Sequence, residues 1–494
     1  MLSYLKNRYK IMSIGQIIKS DVDITGWPAL LTILIAGLLT GYLMRLCFYP
    51  YYFHYLAWIG FVPVILVLPR LRPDNAAILG VVLAMSYYCF CLNWLFSITA
   101  IISLSLFFLW SLVLAVAFYC VSTLMRKYGI GWLLLLMPVA IVGQELIRAE
   151  TLTRIRFAYA AIGYSQSANL FIAQIASIGG VYFISFLIIL VNAAIALVII
   201  KRQLQHLVVL VGLIICIGVL ALYSQSTISE NQPGDNLIAA AIQIDSVNKE
   251  LLIDTITKTI EANVGVDFIV MPEHLFSDRI GLDDPFINKV QALATKHEVC
   301  ICLGVHVDPE NPGVCDYDNT ALLIHPDGKI DSQAKAVPLP FFMDGNPASR
   351  QEVFKTAHGN VGVFICYDGS FTDIPRQLVD KGAEFLLAPV MNPMAWPTAQ
   401  RFQQIDIARF RAIELRRYMV RSSNSGISAI VNPNGKLLGN LPVQEQNVAA
   451  VAKIMPNNDR TIFVSFGYHF NSLLKILMAI LIFYSLYIDL HRKK

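Results

Sequence analysis

Apolar residues are distributed unevenly along this chain. They crowd into residues 27–223 and again near 469–488, and a mixed stretch separates the two regions. A helix needs about 20 largely apolar residues to cross a bilayer. Apolar runs at 27–48, 51–68, 76–96, 100–125, 131–147, 170–199, 206–223 and 473–490 predict eight spans, the second and fifth of them short. The first run begins near Trp27 and is long enough to span, so it reads as an anchor and not as a cleaved leader.

Between the apolar blocks the period changes. Short apolar runs at 237–244, 267–271, 299–305, 320–324, 362–366, 385–388 and 427–431 have strand length. Helix-compatible stretches at 249–264, 285–297, 373–381 and 399–418 alternate with them, and Asp327-Gly328 and Asn434-Gly435 mark turns. Strands alternating with helices predict a layered α/β domain. The predicted organisation is a membrane domain at 1–224, an α/β domain at 225–465, and a last span with its tail at 466–494. No repeat of solenoid period is present.

Composition sharpens this picture. Hydrophobic residues make up 56% of the 494 and charged residues only 15%, against about a quarter charged in soluble proteins. A net charge of +4 is too small to suggest nucleic acid as a partner. The basic residues cluster at span ends: Lys6, Arg8, Lys10 and Lys19, then Arg70 and Arg72, Arg126 and Lys127, Lys201 and Arg202, and Arg492, Lys493 and Lys494. All five groups share one side if both termini are cytoplasmic, which puts 225–465 outside. Arg148, Arg154 and Arg156 break that rule, which is read either as contact with lipid phosphates or as ordinary snorkelling. Five of the nine cysteines lie in apolar runs, and the spacings form no disulfide framework. Cys300 and Cys302 read as a buried strand.

Three predicted strands lead to reactive side chains: Glu273 after 267–271, Lys335 after the Asp-Gly turn, and Cys366 at the end of 362–366. A carboxylate that accepts a thiol proton, an ammonium that stabilises an oxyanion, and a thiol nucleophile suffice for acyl transfer through a thioester. Arg411 and Glu414 sit three apart on the predicted helix, where an ion pair that holds structure is expected. His54, His274, His306 and His469 have no zinc-type spacing, and Glu273-His274 lacks the HExxH frame.

The motifs Val270-Met271-Pro272-Glu273, Lys335 with Pro338 and Pro340, and Ile365-Cys366-Tyr367-Asp368 resemble the nitrilase superfamily. The segment 407–436, with Glu145-Leu146-Ile147-Arg148, Gly163-Tyr164-Ser165, Gln174, Gly179-Gly180-Val181-Tyr182, Asn192, Asn93-Trp94, Tyr317-Asp318-Asn319 and Phe466-Gly467, looks like the bacterial apolipoprotein N-acyltransferases. That resemblance implies a four-layer α-β-β-α sandwich on a helical bundle, multi-pass in the bacterial inner membrane with the sandwich on the periplasmic side.

It also implies a chemistry. Cys366 would take an acyl chain from a phospholipid and pass it to the α-amino group of a diacylglyceryl-cysteine lipoprotein, with Glu273 as base and Lys335 at the oxyanion. Tyr367, Asp368, Asp344 and Asn319 would support the site. Trp94, Phe341, Phe342, Trp396 and Arg148 would meet lipid or substrate. The resemblance implies no metal or cofactor, and a monomer. The chain departs from the family where Asp368 and Asp344 stand in place of glutamates and where the loop 391–397 differs. A membrane-tethered amidase that hydrolyses its thioester would use the same triad, and a non-catalytic lipid-binding protein is a third reading.

Overall fold

The computed structural model describes residues 23–152, 155–227, 236–310, 313–348, 350–443 and 445–492. The basic clusters at 6–19 and 493–494, and Arg154, lie outside these residues.

Among the described residues, seven helices are long and apolar enough to cross a membrane. Their helical cores are α1 (Gly26–Arg45), α2 (Pro73–Cys91), α3 (Phe96–Tyr128), α4 (Leu133–Leu146), α5 (Ala176–Lys201), α6 (Leu204–Ser226) and, after the α/β domain, a C-terminal helix, His469–Arg492. The second predicted span is different. It is a shorter apolar stretch, His54–Arg70, broken into separate turns. Pro63 and Pro69 lack the N–H an unbroken helix needs. Inside a bilayer the freed backbone groups must find partners in the protein. Asn192 of α5 does this at the break between the first two α-helical turns, where its Oδ1 accepts from Phe61 N at 2.9 Å and its Nδ2 donates to Ala57 O at 2.9 Å.

The stretch still returns the chain to the side it left, because Ile24 N donates to Arg70 O at 3.0 Å. Arg126 joins the same corner, pairing with Asp23 at 2.6 Å and donating to Leu71 O. The opposite ends carry the α/β domain. Tyr49 stacks on Phe402 at 4.0 Å, Gln403 donates to Cys91 O at 2.8 Å, and Arg416 donates to Ser224 O at 2.8 Å.

The α/β domain holds two six-stranded sheets. The first has strands β1 (Leu237–Gln243), β2 (Phe268–Val270), β3 (Cys300–Val307), β4 (Asp318–Ile324) and β5 (Ile330–Ala334), closed on its other edge by a late strand, Val448–Ile454. The second has β6 (Val353–Thr356), β7 (Gly359–Val363), β8 (Phe385–Val390), β9 (Met419–Ser423), β10 (Ala429–Val431) and β11 (Leu437–Leu438); the late strand is therefore β12. In each sheet three strands run parallel, β1-β2-β3 and β7-β8-β9, with antiparallel flanks.

Side-chain alternation sorts the first sheet into two cores. Ala239, Ala241, Phe268, Val270, Cys300 and Cys302 face the second sheet, where the Phe268 and Phe385 rings meet at 4.9 Å. Ala240, Ile242, Ile269, Ile301 and Leu303 pack with Leu252, Ile256, Ile287 and Val290 of the helices α7 (Lys249–Ala262) and α8 (Pro285–His297). Helices α9 (Asp373–Asp380) and α10 (Thr398–Leu415) cover the second sheet, giving four layers, α-β-β-α. The C-terminal span is α11.

Gly467 lies where α11's approach crosses α5. A Cβ built there would sit 2.0 Å from Ile178 O, so the backbones touch because no side chain separates them. Gly467→Ala is expected to lower the melting temperature in detergent by several degrees, an overpacking cost of about 1–3 kcal/mol; an unchanged melt would remove this contact from the account of how α11 docks.

Candidate active site

The ends of β2, β5 and β7 place Glu273, Lys335 and Cys366 together. Lys335 Nζ lies 2.8 Å from Glu273 Oε1 and 2.8 Å from Asp344 Oδ2. Asn319, on β4, donates Nδ2 to Glu273 Oε1 at 2.7 Å and to Asp344 Oδ1 at 3.0 Å. Met391 N donates to the other Glu273 oxygen at 2.9 Å. Burial alone would lower the Lys335 pKa, but the carboxylates of Asp344 and Glu273 hold it well above its usual value. Against its own burial, Asp344 is held well below the usual carboxylate range by the Lys335 ammonium and by bonds from His274, Lys335 and Leu339 N. Asp344 is therefore Lys335's second counter-ion as well as the residue before Gly345 at the loop's turn. Glu273, His274 and Asp344 each place a donor atom within 4.8 Å of the others, and the Lys335 ammonium pairs with both of these carboxylates.

Cys366 is not the last residue of a strand. β7 ends at Val363, and Cys366 opens a tight turn with φ +44. A non-glycine residue held there is costly, by about 1–3 kcal/mol, and persists only where its surroundings fix it. Asp368 does the fixing: its carboxylate accepts from Ile365 N, Ala336 N and Val337 N at 3.1, 3.1 and 2.8 Å. It ties the cysteine turn to the lysine loop. Burial pushes Asp368 up to about 7 against the pull of Lys335 and these N–H groups. Burial, then the Glu273 carboxylate, push the Cys366 thiol up to about 12, opposed by Lys335. The resting nucleophile is thus a neutral thiol. Gln404 of α10 donates to its sulfur at 3.5 Å while accepting from Arg421 at 2.7 Å. Sequence reading missed Gln404 and Arg421, because nothing about a glutamine inside a helix or an arginine inside a short strand marks either for a thiol.

Beside the turn lies an apolar cleft lined by Trp94, Ile98, Phe157, Leu339, Phe342, Tyr367 and Trp396 among others. Tyr367 hydrogen-bonds Arg156 O at 2.6 Å, and Trp94 donates to Gln403 at 3.0 Å. Phe341 and Met343 are 60% and 65% exposed, and Phe342 faces Trp396 with ring centroids 6.2 Å apart. The loop after Lys335, with Pro338 and Pro340, and the loop 391–397 therefore form the cleft's rim.

Arg148 does not reach lipid. It is 1% exposed, donates to Phe157 O and Tyr159 O at 2.8 and 2.6 Å, and sits 5.4 Å from the Tyr88 and Trp110 rings. A cation that cannot snorkel must be satisfied inside the protein, and here it braces the loop that lines the cleft. Arg156 pairs with Asp373 at 2.7 Å. Arg411 and Glu414 form the expected buried pair at 2.9 Å. Cys300 and Cys302 are buried free thiols on β3.

Two family models match this chain in tandem: the apolipoprotein N-acyltransferase N-terminal domain over residues 40–194 and carbon-nitrogen hydrolase over 238–456. An apolipoprotein N-acyltransferase of Geobacter metallireducens is 26% identical over 460 residues, covering 84% of this chain and 88% of that one. One from Coxiella burnetii is 22% identical over 482 residues, covering 88% and 96%. The Saccharomyces cerevisiae Nit3 structure is 20% identical, covers 46% of this chain and 93% of its own, and superposes with a TM-score of 0.41. A four-layer sandwich matching the carbon-nitrogen hydrolase model and docked on membrane helices defines a membrane-embedded member of the nitrilase superfamily. With the matching N-terminal domain in front of it, the chain belongs to the apolipoprotein N-acyltransferases.

The environment of the thiol sets a sign that titration can read. In folded variants, Glu273→Gln is expected to lower the pH midpoint of Cys366 alkylation by iodoacetamide, because a negative neighbour is removed. Lys335→Met is expected to raise it. Midpoints unchanged in both would refute the electrostatic account of the thiol.

Proposed function

We infer that this enzyme moves an acyl chain from a phospholipid to the N-terminal amine of a diacylated lipoprotein, with Cys366 as nucleophile, Glu273 as base and Lys335 at the oxyanion. The observation that carries this reading is the apolar cleft: residues of α3, of the 155–159 loop and of the two catalytic-domain loops line it together, and Tyr367, beside Cys366, forms part of its wall. Tyr367 follows Cys366 directly in the chain, so a cleft on the membrane side with Tyr367 in its wall supports approach by two lipid-anchored substrates.

In the first half-reaction Glu273 accepts the Cys366 proton as sulfur attacks the ester carbonyl. The Lys335 ammonium stabilises the oxyanion that forms. The C–O bond breaks, the leaving oxygen takes the proton from Glu273, and a lysophospholipid departs. In the second half-reaction the lipoprotein amine attacks the thioester, the C–S bond breaks, and an amide forms while the thiol is restored. Trp94, Phe341, Phe342 and Trp396 would hold acyl chains, and Tyr367, Asp368, Asp344 and Asn319 would hold the reacting groups in place.

Arg70 and Arg126 lie at the face away from the sandwich. With basic residues inside, the sandwich lies outside the cytoplasm and both termini within it. All the groups named belong to one chain, which supports a monomer as the working unit.

Purified enzyme incubated with a phospholipid carrying a labelled acyl chain is expected to acquire hydroxylamine-sensitive label, and Cys366→Ala is not. A synthetic diacylated lipopeptide should then collect that label as an amide. Loss of the label to water at the same rate with or without lipopeptide would favour the hydrolase reading, and no label on folded wild type would overturn the phospholipid-donor mechanism.

A further inference from the structure

The sulfur of Cys366 must carry negative charge twice. It does so when it attacks the ester, and again when the C–S bond breaks in the second half-reaction. The catalytic cluster resists that charge. Lys335 is shared between Glu273 and Asp344, so its ammonium is already outnumbered by carboxylates. When Glu273 takes the thiol proton, one negative charge moves from the carboxylate to Sγ and the total does not change. What faces the sulfur therefore decides the cost.

Arg421 of β9 faces it. Cys366, Gln404, Arg411 and Arg421 line one small cavity. Arg421 is 2% exposed, and its hydrogen bonds go to neutral oxygens: Gln404 Oε1 at 2.7 Å, Asn392 Oδ1 at 3.1 Å and Ile427 O. Arg411 differs, since Glu414 pairs with it. A buried cation without a counter-charge is costly. Burial pulls Arg421 down to about 10, opposed first by Cys366 and then by Tyr159, so it stays charged at neutral pH. The remaining titratable groups that face the sulfur are Glu273, Lys335 and Tyr159, which burial keeps a neutral phenol.

The arginine also sets the direction of every bond around it. A guanidinium only donates, so Gln404 Oε1 and Asn392 Oδ1 both accept. Asn392 Nδ2 must then donate to Gln404 Oε1, at 2.7 Å. With two donors on its oxygen the Gln404 amide cannot turn over, and its Nε2 is held 3.5 Å from Sγ. The thiol hydrogen points elsewhere, because Sγ donates to Met391 O at 3.6 Å. A lone pair of the sulfur thus meets a fixed donor before the proton leaves.

We propose that Arg421 is the counter-ion of the Cys366 thiolate and acts through Gln404, whose amide it fixes with Nε2 toward the sulfur. Gln404 touches the reacting atom; Arg421 is a positioning residue. Neither takes up a proton: the thiol proton goes to Glu273, and the electron pair left on sulfur is the one that Gln404 Nε2–H faces. When the C–S bond breaks, its pair returns to sulfur against the same donor. This inference rests on the reading above that Cys366 is the nucleophile.

The test uses full-length enzyme in detergent. Iodoacetamide labelling of Cys366 at about pH 8, read on its own peptide by mass spectrometry, reports the thiolate. Gln404→Met keeps the side chain's length and removes its donor. Arg421→Gln keeps a polar side chain and removes the charge. Folded variants of both kinds should be alkylated at least about threefold more slowly than wild type. The double variant should match the slower single, because the two residues act in series. At saturating phospholipid, lysophospholipid release should fall about tenfold, with the half-saturating concentration held within about twofold, since neither residue lines the apolar cleft. Alkylation of folded Gln404→Met as fast as wild type would overturn the proposal, whether or not Arg421→Gln folds. Deficits that multiply in the double variant would overturn the action through Gln404. A wild type that forms no thioester, while its variants still show slowed alkylation, would refute the transferase reading alone, so the two failures are distinguishable.

Discussion

Helix α10 is the member on which the rest of this structure depends. Nearly every side chain from Gln400 to Leu415 is buried, although the helix is rich in polar residues. A helix polar on several faces is stable only where each face finds partners. Gln403 bonds Trp94 and Cys91 O, Asp406 accepts from Tyr52, and Arg409 donates to Ser167 O. Arg411 reaches Tyr164, and Glu414 accepts from Val181 N, the amide following the helix break at Gly180. All of these partners belong to the membrane domain. On its other face the same helix presents Gln404 to the reactive sulfur. The sandwich is thereby docked on the bundle by hydrogen bonds that also orient the site. Removing one partner would leave a buried polar group unsatisfied, at about 1–3 kcal/mol.

Much of this was legible in the sequence because it follows from periodicity. Runs of membrane-spanning length and period-two strands reflect how a side chain meets its solvent, lipid or core, and both appeared close to where they were expected. The failures are equally physical. Strand β9 reads Met-Val-Arg-Ser-Ser, and a buried arginine with two serines carries no apolar signal. It falls between the helix expected at 399–418 and the strand expected at 427–431 and belongs to neither. Strand β12, Val448–Ile454, has an alanine-rich composition that gives no strand signal. The second span was legible by hydrophobicity and not by continuity, since its repair lies in Asn192, 131 residues from Phe61. Arg148 looked like a lipid contact because a charge at a span end usually snorkels, and only tertiary structure reveals the carbonyls that hold it inside.

The site itself divides along the same line. Glu273, Lys335 and Cys366 were visible because each follows a strand in a recognisable motif. Their electrostatics were not. Three acids, Glu273, Asp344 and Asp368, surround one ammonium, and what distinguishes them is which donors each receives. Asp344 shares the Lys335 ammonium with Glu273 and is held ionised; Asp368 has three backbone amides and serves as a clasp between loops. An aspartate at 368 suits this role, because a clasp that must reach Ile365, Ala336 and Val337 at once is set by backbone spacing and not by reach toward substrate.

An acyltransferase must also keep its thioester from water long enough for a slow, membrane-bound acceptor to arrive. Two features act together here. The thiol is neutral until Glu273 takes its proton, so the nucleophile is formed only when a carbonyl is in place to receive it. The adjoining cleft is walled by aromatic and aliphatic side chains, so an acyl chain bound there would exclude the water that a polar amidase pocket admits. The same dryness that protects the intermediate also isolates Glu273, whose side chain is 0% exposed, from solvent.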